Sequence, residues 1–239
     1  MYSSAFCRVY NEFGWNVYPE VFAAQLLRLP ELRSGAVKTA LDLGCGTGVL
    51  CRVLAERGIN TLGVDLSEGM IVIARENAPS LRFETGNMVT WSSKERFDLI
   101  TCTGDALNHI FDPEDVRRVF NNVYAMLSPG GRFIFDLLGD REVPDGEPFT
   151  LDYSDSVRAV FRTVREPDGM VRLTVSVFEN GSLTFEENIL EKLHPSDRVR
   201  LMLREAGFDV LRFAHRLSEE EGTDAAAWFV IAGKERDHA

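Results

Sequence analysis

Apolar positions along this chain follow two rhythms, and the change between them divides the sequence. Short apolar runs at 38–43, 60–65, 81–84, 97–102 and 132–138 alternate with segments of helical period. The runs are too short for helices and read as buried strands. Between them, 48–57 reads as a helix closed by Gly58. Residues 67–77 read as a second helix, with Ser67 as N-cap, Glu68 just inside and Pro79 beyond its end. Pro113 opens a third, 113–127, and Pro129-Gly130-Gly131 reads as a turn into the fifth strand. Ahead of all these, 17–29 carries Val17, Val21, Ala24 and Leu27 beside Phe22, Leu26 and Leu29. That spacing predicts an amphipathic helix, ended by Pro30 and Gly35. Strands alternating with helices predict a parallel sheet with right-handed crossovers.

Between 144 and 194 the helical period is absent. Segments 150–154, 159–165, 171–178 and 183–191 are rich in Val, Phe, Thr and Leu. Pro167-Asp168-Gly169 and Asn180-Gly181 separate them, and Asn-Gly between alternating runs is a hairpin signal. An antiparallel meander inserted into the α/β unit is expected here. The α/β rhythm then resumes: 195–206 reads as a helix stopped by Gly207, and 208–215 and 227–233 as two last strands. The polar link between them, 218–224, is too long for a two-residue hairpin.

The chemistry concentrates in Leu41-Asp42-Leu43-Gly44-Cys45-Gly46-Thr47-Gly48. Alternating glycines let a backbone turn sharply and let a ligand press on bare main chain. Asp65 ends the next strand, about twenty residues on, where a carboxylate takes ribose hydroxyls. A dinucleotide fingerprint needs G-x-G-x-x-G, but here Val49 stands at the third glycine position and the spacing is G-x-G-x-G. That argues against a pyrophosphate. A sulfonium nucleoside has no phosphates, and its cation suits a carboxylate such as Asp42.

Four further segments extend the pattern: Val64-Asp65-Leu66-Ser67, Gly86-Asn87-Met88, the run Phe97 to Cys102 followed by Thr103 to Ile110, and Leu127-Ser128-Pro129-Gly130-Gly131-Arg132-Phe133. With these in order, the chain resembles the class I S-adenosylmethionine-dependent methyltransferases over residues 37–138 and again through its final helix and strands. The resemblance implies an α/β, Rossmann-like, doubly wound sheet of seven mostly parallel strands with an antiparallel last strand. An inserted small antiparallel β-meander completes it. It implies S-adenosylmethionine as cofactor, leaving as S-adenosylhomocysteine. Gly44 and Gly46 then lie against its methionine end, Asp65 on its ribose, and Asn87 and Met88 at its adenine, Met88 through its backbone N–H. Asp42, Cys45, Leu66, Met70 and Thr103 complete the implied cofactor set, with Cys45 a small filler rather than a nucleophile. Many members carry Asp where Asn87 stands, so that contact is not charge-assisted here.

Methyl transfer from a sulfonium is an in-line displacement with a neutral leaving group, and a base is needed only when the nucleophile arrives protonated. In an open α/β sheet the ligand lies beyond the carboxyl ends of the strands. Thr103-Gly104-Asp105-Ala106-Leu107-Asn108-His109 should therefore face the reacting centre. His109 is the best base candidate, since its pKa permits proton transfer near neutrality. Asp105 and Asn108 either orient substrate or cap the following helix. The N-terminal segment is dense in aromatics (Tyr2, Phe6, Tyr10, Phe13, Trp15, Tyr18). In similar enzymes such a segment folds over the cofactor as a lid. Tyr10 or Tyr18 would then sit near the sulfonium, and Tyr10 is the second catalytic candidate. The expected division is an N-terminal lid over 1–35, a cofactor-binding core over 36–142 and 195–236, and a substrate cap over 143–194.

Composition narrows the acceptor. A net charge of −11 argues against a polyanionic partner, despite the sequence cluster Arg158, Arg162, Arg165 and Arg172. At 239 residues the chain can bury one good core. It holds no apolar run long enough for a membrane span, and its first residues lack signal-peptide character. Cys7, Cys45, Cys51 and Cys102 form no C-x-x-C pair, so they read as reduced thiols of a cytoplasmic protein with no metal site. The leading expectation is methyl transfer to an O or N atom of a small molecule, by a monomer or homodimer. A non-catalytic cofactor-binding module remains open. A nucleic-acid methyltransferase is disfavoured, because Thr103-Gly104-Asp105-Ala106 replaces the Asn- or Asp-Pro-Pro-aromatic turn. A nicotinamide oxidoreductase is disfavoured by the glycine spacing.

Overall fold

The computed structural model describes residues 3–11, 14–33, 35–139, 146–214 and 227–235. Three helices lead: α1 (Ser4–Val9), α2 (Val17–Leu26) and α3 (Pro30–Arg33). The α/β unit follows as β1 (Thr39–Leu43), α4 (Val49–Glu56), β2 (Asn60–Asp65), α5 (Glu68–Asn77), β3 (Arg82–Thr85) and β4 (Phe97–Cys102). A single 3-10 turn (Ala106–His109) precedes α6 (Pro113–Met126) and β5 (Leu127–Leu138). Four strands form the insert: β6 (Phe149–Asp152), β7 (Val157–Glu166), β8 (Met170–Glu179) and β9 (Ser182–Lys192). The chain closes with α7 (Ser196–Glu205), β10 (Asp209–Ala214) and β11 (Ala227–Gly233).

The main sheet has the order β10-β11-β5-β4-β1-β2-β3. β1 pairs in parallel with both β2 and β4, and β11 runs antiparallel to both β5 and β10. Strand order therefore reverses at β1, and the crevice opens beyond the carboxyl ends of β1 and β4, where a ligand can lie. Successive side chains of β5 face opposite ways. Phe133 and Phe135 join Phe97, Phe120 and Val123 on the α6 side, while Ile134 joins Phe22, Leu26, Leu50 and Phe229 on the other. The caps are local. Ser67 Oγ accepts the Met70 N–H at 3.3 Å, and Asp112 Oδ1 accepts the Glu114 N–H at 2.9 Å with Pro113 opening α6.

Two elements differ from the sequence reading. The helix from Val17, α2, ends at Leu26, and Pro30 opens α3 instead of simply closing α2. Pro supplies a helix-ready φ at a first turn, which explains the restart. Of its expected apolar face, Val17, Val21 and Ala24 are exposed, while Phe22, Ala23 and Leu26 are buried. The fifth strand begins at Leu127, not Arg132, because Leu127 pairs with Phe97 ahead of a register shift. The expected link 218–224 and His215 lie outside the described residues.

The insert is a four-stranded antiparallel sheet in sequential order, β6-β7-β8-β9. Asn180 (φ +51°) and Gly181 (φ +79°) turn β8 into β9 with two consecutive left-handed residues, as the Asn-Gly pair predicts. Its inner face, with Ala159, Phe161, Val175, Val177 and Ile189, packs on Phe6 and Cys7 of α1 and on Met70 of α5. The N-terminal segment is thus sandwiched between the insert and the α/β unit.

Candidate cofactor and acceptor site

Two carboxylates at strand ends hold two loops. The Gly44 and Cys45 N–H groups donate to the Val64 carbonyl at 2.7 and 3.1 Å, folding the loop after β1 against β2. Asp65 then accepts from the Gly46 N–H and the Ser67 N–H, both at 2.8 Å. Asp136, in β5, does the same for the loop after β4. It accepts from the Gly104 N–H at 3.1 Å, from the Asp105 N–H at 3.0 Å and from the Tyr18 hydroxyl. Gly46 (φ +53°) and Gly104 (φ +70°) occupy the left-handed region that glycine tolerates. A β-carbon on either would meet no atom within 4 Å, so both face open space. A β-carbon at Gly44 would fall 2.8 Å from Ala106 Cβ, so the two loops pack directly on each other there.

The walls are acidic. Asp42 is 2% exposed and accepts from Thr101 Oγ1 at 2.7 Å and from Cys51 Sγ at 3.7 Å. Burial pushes its pKa up to about 7, against those two donors and with help from Asp65 and Asp136. Burial raises Asp65 too, opposed by its two backbone donors. It lifts Asp105 well above the usual carboxylate range, reinforced by Asp136 and Glu191. Asp136 is raised by burial against its donors, Tyr18 first. Glu191 of β9 is pushed up to about 7 by burial. Among the described residues, no Lys or Arg makes a salt bridge to any of these five carboxylates. Buried carboxylates without a counter-charge are costly, and a cationic ligand offsets that cost.

The N-terminal segment closes over this cup. Thr47 Oγ1 donates to Asn11 Oδ1 at 3.1 Å, tying the segment after α1 to the glycine loop. Tyr10 packs edge-on against Phe6 and Trp15. Its pKa is pushed up to about 12, first by burial and then by the charges of Asp65 and Asp105. The Tyr18 phenol, raised by burial and by Asp136, is spent on the Asp136 carboxylate. Tyr2 and Phe13 lie outside the described residues.

The structure redistributes several expected roles. Asp42 lies beneath the loop, bound to Thr101 and Cys51, so it acts on the cup through its field and by bracing β1 against β4. Cys45 packs its thiol with Cys51, Ile71, Ala74 and Phe83, as a filler does. Met70 is buried against Phe6 and Cys7, which removes its side chain from the cup and makes it an anchor for α1. Leu66 is 46% exposed beside Asp65, a free apolar edge suited to a planar base. Asn87 is exposed, and its Oδ1 already accepts the Val89 N–H at 2.9 Å, so its first role is to turn the chain. Met88 reaches the glycine loop, with Cε 3.5 Å from a β-carbon placed on Gly44. Thr103 is nearly buried just past β4. Asn108 does not cap the following helix, whose N-cap is Asp112. Asn108 is fully buried, donating from Nδ2 to the Lys192 carbonyl at 2.8 Å and accepting the Leu138 N–H at 3.0 Å, because it bridges β9 to β5.

His109 stands one 3-10 turn above Ala106, the residue packed on the glycine loop, and in that geometry i and i+3 eclipse. Its Nδ1 lies 3.3 Å from the Leu190 carbonyl, which can only accept, so Nδ1 carries the hydrogen and Nε2 the lone pair. Two residues escaped the sequence reading: Asp136 and Glu191. A lone carboxylate closing the apolar run Phe133-Ile134-Phe135 signals the first. The two-residue period from Ile189 signals the second, once the inner face of the insert is known.

The seven-stranded order, with its cup beyond β1 and β4, is the fold that the resemblance to the class I S-adenosylmethionine-dependent methyltransferases implies. Residues 40–131 match the family described as Methyltransferase domain. A putative methyltransferase of Geobacillus sp. (strain WCH70) is 38% identical over 109 residues, which is 44% of each chain. The match thus spans less than half the length of that curated relative. Among solved structures, an S-adenosylmethionine-dependent methyltransferase from Clostridium acetobutylicum superposes with a TM-score of 0.80 at 24% identity, over 95% of this chain and 99% of that one. An amino pentose methyltransferase from Micromonospora echinaspora gives 0.77 at 21% identity, over 98% of both. At these identities the likeness to the solved structures is one of fold.

Proposed function

We propose that this chain is an S-adenosylmethionine-dependent methyltransferase that methylates an O or N atom of a small molecule. The observation that carries the reading is the glycine-lined cup whose buried and half-buried carboxylates have no basic partner among the described residues. Its residues fit the cofactor. Asp65 retains lone pairs for ribose hydroxyls after accepting two N–H bonds. Gly46 offers bare backbone, Leu66 and the Met88 N–H offer an adenine edge, and Tyr10 presents an aromatic ring near the acidic wall. Bound there, S-adenosylmethionine would supply a methyl group on a sulfonium, displaced in line while sulfur leaves neutral.

The chain's own residues then orient the acceptor, exclude water and move a proton. The aromatic segment and the inner face of β9 cover the cup from two sides, which limits bulk water at the reacting centre. His109 is held by the Leu190 carbonyl, and burial lowers its pKa below the ordinary histidine value. It is therefore neutral at pH 7 and able to take a proton through Nε2. The net charge of −11 favours a small acceptor over a polyanion. The four cysteines are free thiols, which suits a reducing cytoplasm. No helix among the described residues is long and apolar enough to cross a membrane.

Incubation with methyl-tritiated S-adenosylmethionine and a cell extract tests the reading. Label is expected in low-mass products; label entering only RNA or DNA contradicts it. On the purified acceptor, His109→Ala should lower kcat by about 10²–10⁴-fold, the usual range for a general base. Cofactor affinity should not change. Unaltered turnover would leave His109 as a packing residue.

A further inference from the structure

The acidic wall has two halves, and only one belongs to the cofactor's own elements. Asp65 and Asp136 are occupied in holding their loops. Asp105 and Glu191 are not: among the described residues, neither side-chain carboxylate has a hydrogen-bond or ion-pair partner. Asp105 has its N–H pinned to Asp136 and sits at φ +57°, a left-handed conformation uncommon for a residue with a side chain. The adjoining Gly104 opens onto space. Glu191 arrives from the insert. Ile189, two residues before it, packs inward on α1 and α5, so the period of the strand puts Glu191 on that inner face. Its cross-strand neighbour Val171 is buried. The residues on either side of Glu191 fasten this stretch to the loop after β4: the Leu190 carbonyl accepts from His109, and the Lys192 carbonyl from Asn108. Glu191 is close enough to Asp105 for its charge to oppose the ionisation of that residue.

We propose that Asp105 and Glu191 form the acceptor subsite and bind an ammonium group, so that the methyl acceptor is an amine. This rests on the methyltransferase reading and sharpens it. S-adenosylmethionine brings a sulfonium, an ammonium and a carboxylate, a net charge of +1. Asp105 and Glu191 are a second pair of carboxylates beyond Asp65 and Asp136, which hold the loops, and among the described residues no basic side chain is paired to them. A neutral alcohol would leave Asp105 and Glu191 facing each other without a counter-ion. An ammonium supplies one and has three N–H donors to share between them. For transfer, one N–H bond of the ammonium breaks and an N–H bond forms at His109 Nε2, while Asp105 and Glu191 hold the remaining N–H groups. Nitrogen keeps the electron pair and becomes the nucleophile.

Titration calorimetry on the S-adenosylhomocysteine complex tests this, with cyclohexylammonium and its neutral counterpart cyclohexanol as probes. The wild-type complex should bind the ammonium at least tenfold more tightly. Glu191→Gln should abolish that preference while leaving S-adenosylhomocysteine affinity within about twofold, which also shows that the variant is folded. Equal binding of the two probes, preference for the alcohol, no binding of the ammonium, or an unchanged preference in Glu191→Gln would each overturn the proposal. The two readings fail separately. Loss of S-adenosylhomocysteine binding in the wild type removes the methyltransferase reading, whereas its retention without ammonium preference removes only the acceptor.

Discussion

At the residue scale, Asp42 carries a clear pH signature. Its folded pKa, about 7, lies above the unfolded value near 3.8, so the folded state holds the proton more tightly across that interval. Stability from this group is therefore fully present below about pH 4, falls as the pH rises, and levels off above pH 7. A shift of that size corresponds to roughly 4 kcal/mol as an order of magnitude. Glu191 adds a fall of the same sign. Asp42→Asn keeps an acceptor for the Thr101 hydroxyl and removes the ionisation. Urea unfolding of the ligand-free protein should accordingly lose stability between pH 5 and pH 8, and the variant should show a shallower fall. Parallel pH profiles for the two proteins would mean that Asp42 is not the strained carboxylate. The burial behind this effect was not legible in the motif, where Asp42 read as a residue of the ligand surface. Only the register of β1 between β2 and β4 puts its side chain on Thr101.

At the element scale, a buried amide adds to the apolar face and the His109–Leu190 hydrogen bond in joining the insert to the α/β unit. Asn108 links the Lys192 carbonyl of β9 to the Leu138 N–H at the end of β5. Asn108→Ala leaves both groups without that partner and opens a small void. A loss of about 2–4 kcal/mol is expected in urea unfolding, with faster amide exchange along β9. A loss under about 0.5 kcal/mol would show that the insert is held by its other contacts and not by Asn108. Elements were legible where one local signal dominated. Asn180-Gly181 marked its hairpin, Ser67 its cap and Pro113 its helix start. They were misread where tertiary pairing overrides local chemistry. Pro129-Gly130-Gly131 reads as a turn, yet pairing with β4 begins upstream of it at Leu127. Met70 looked like a cofactor contact because of its place after Asp65, and α1 covers it.

At the scale of the whole molecule, the alternation of strand and helix together with the glycine spacing points to the carboxyl ends of β1 and β4, where the glycine loop lies. Asp65 and the glycine loop could be named because their chemistry is local to a motif. The other wall could not be. Asp136 and Glu191 lie far apart in sequence; Asp136 meets Asp105 because β5 pairs with β4, and Glu191 because the insert folds back over the carboxyl end of β4. The N-terminal aromatics meet the same cup from a third direction, through Asn11 on Thr47 and Tyr18 on Asp136. One claim underlies these assignments: that the cup holds a sulfonium nucleoside and not a dinucleotide. Calorimetric titration with S-adenosylmethionine, S-adenosylhomocysteine and NADH tests it most directly. The two sulfur nucleosides should bind and NADH should not, and Asp65→Ala should weaken both sulfur nucleosides by about tenfold to a hundredfold, the worth of hydrogen bonds to a charged group. Binding of NADH with no heat from either sulfur nucleoside, or undiminished affinity in Asp65→Ala, would contradict it.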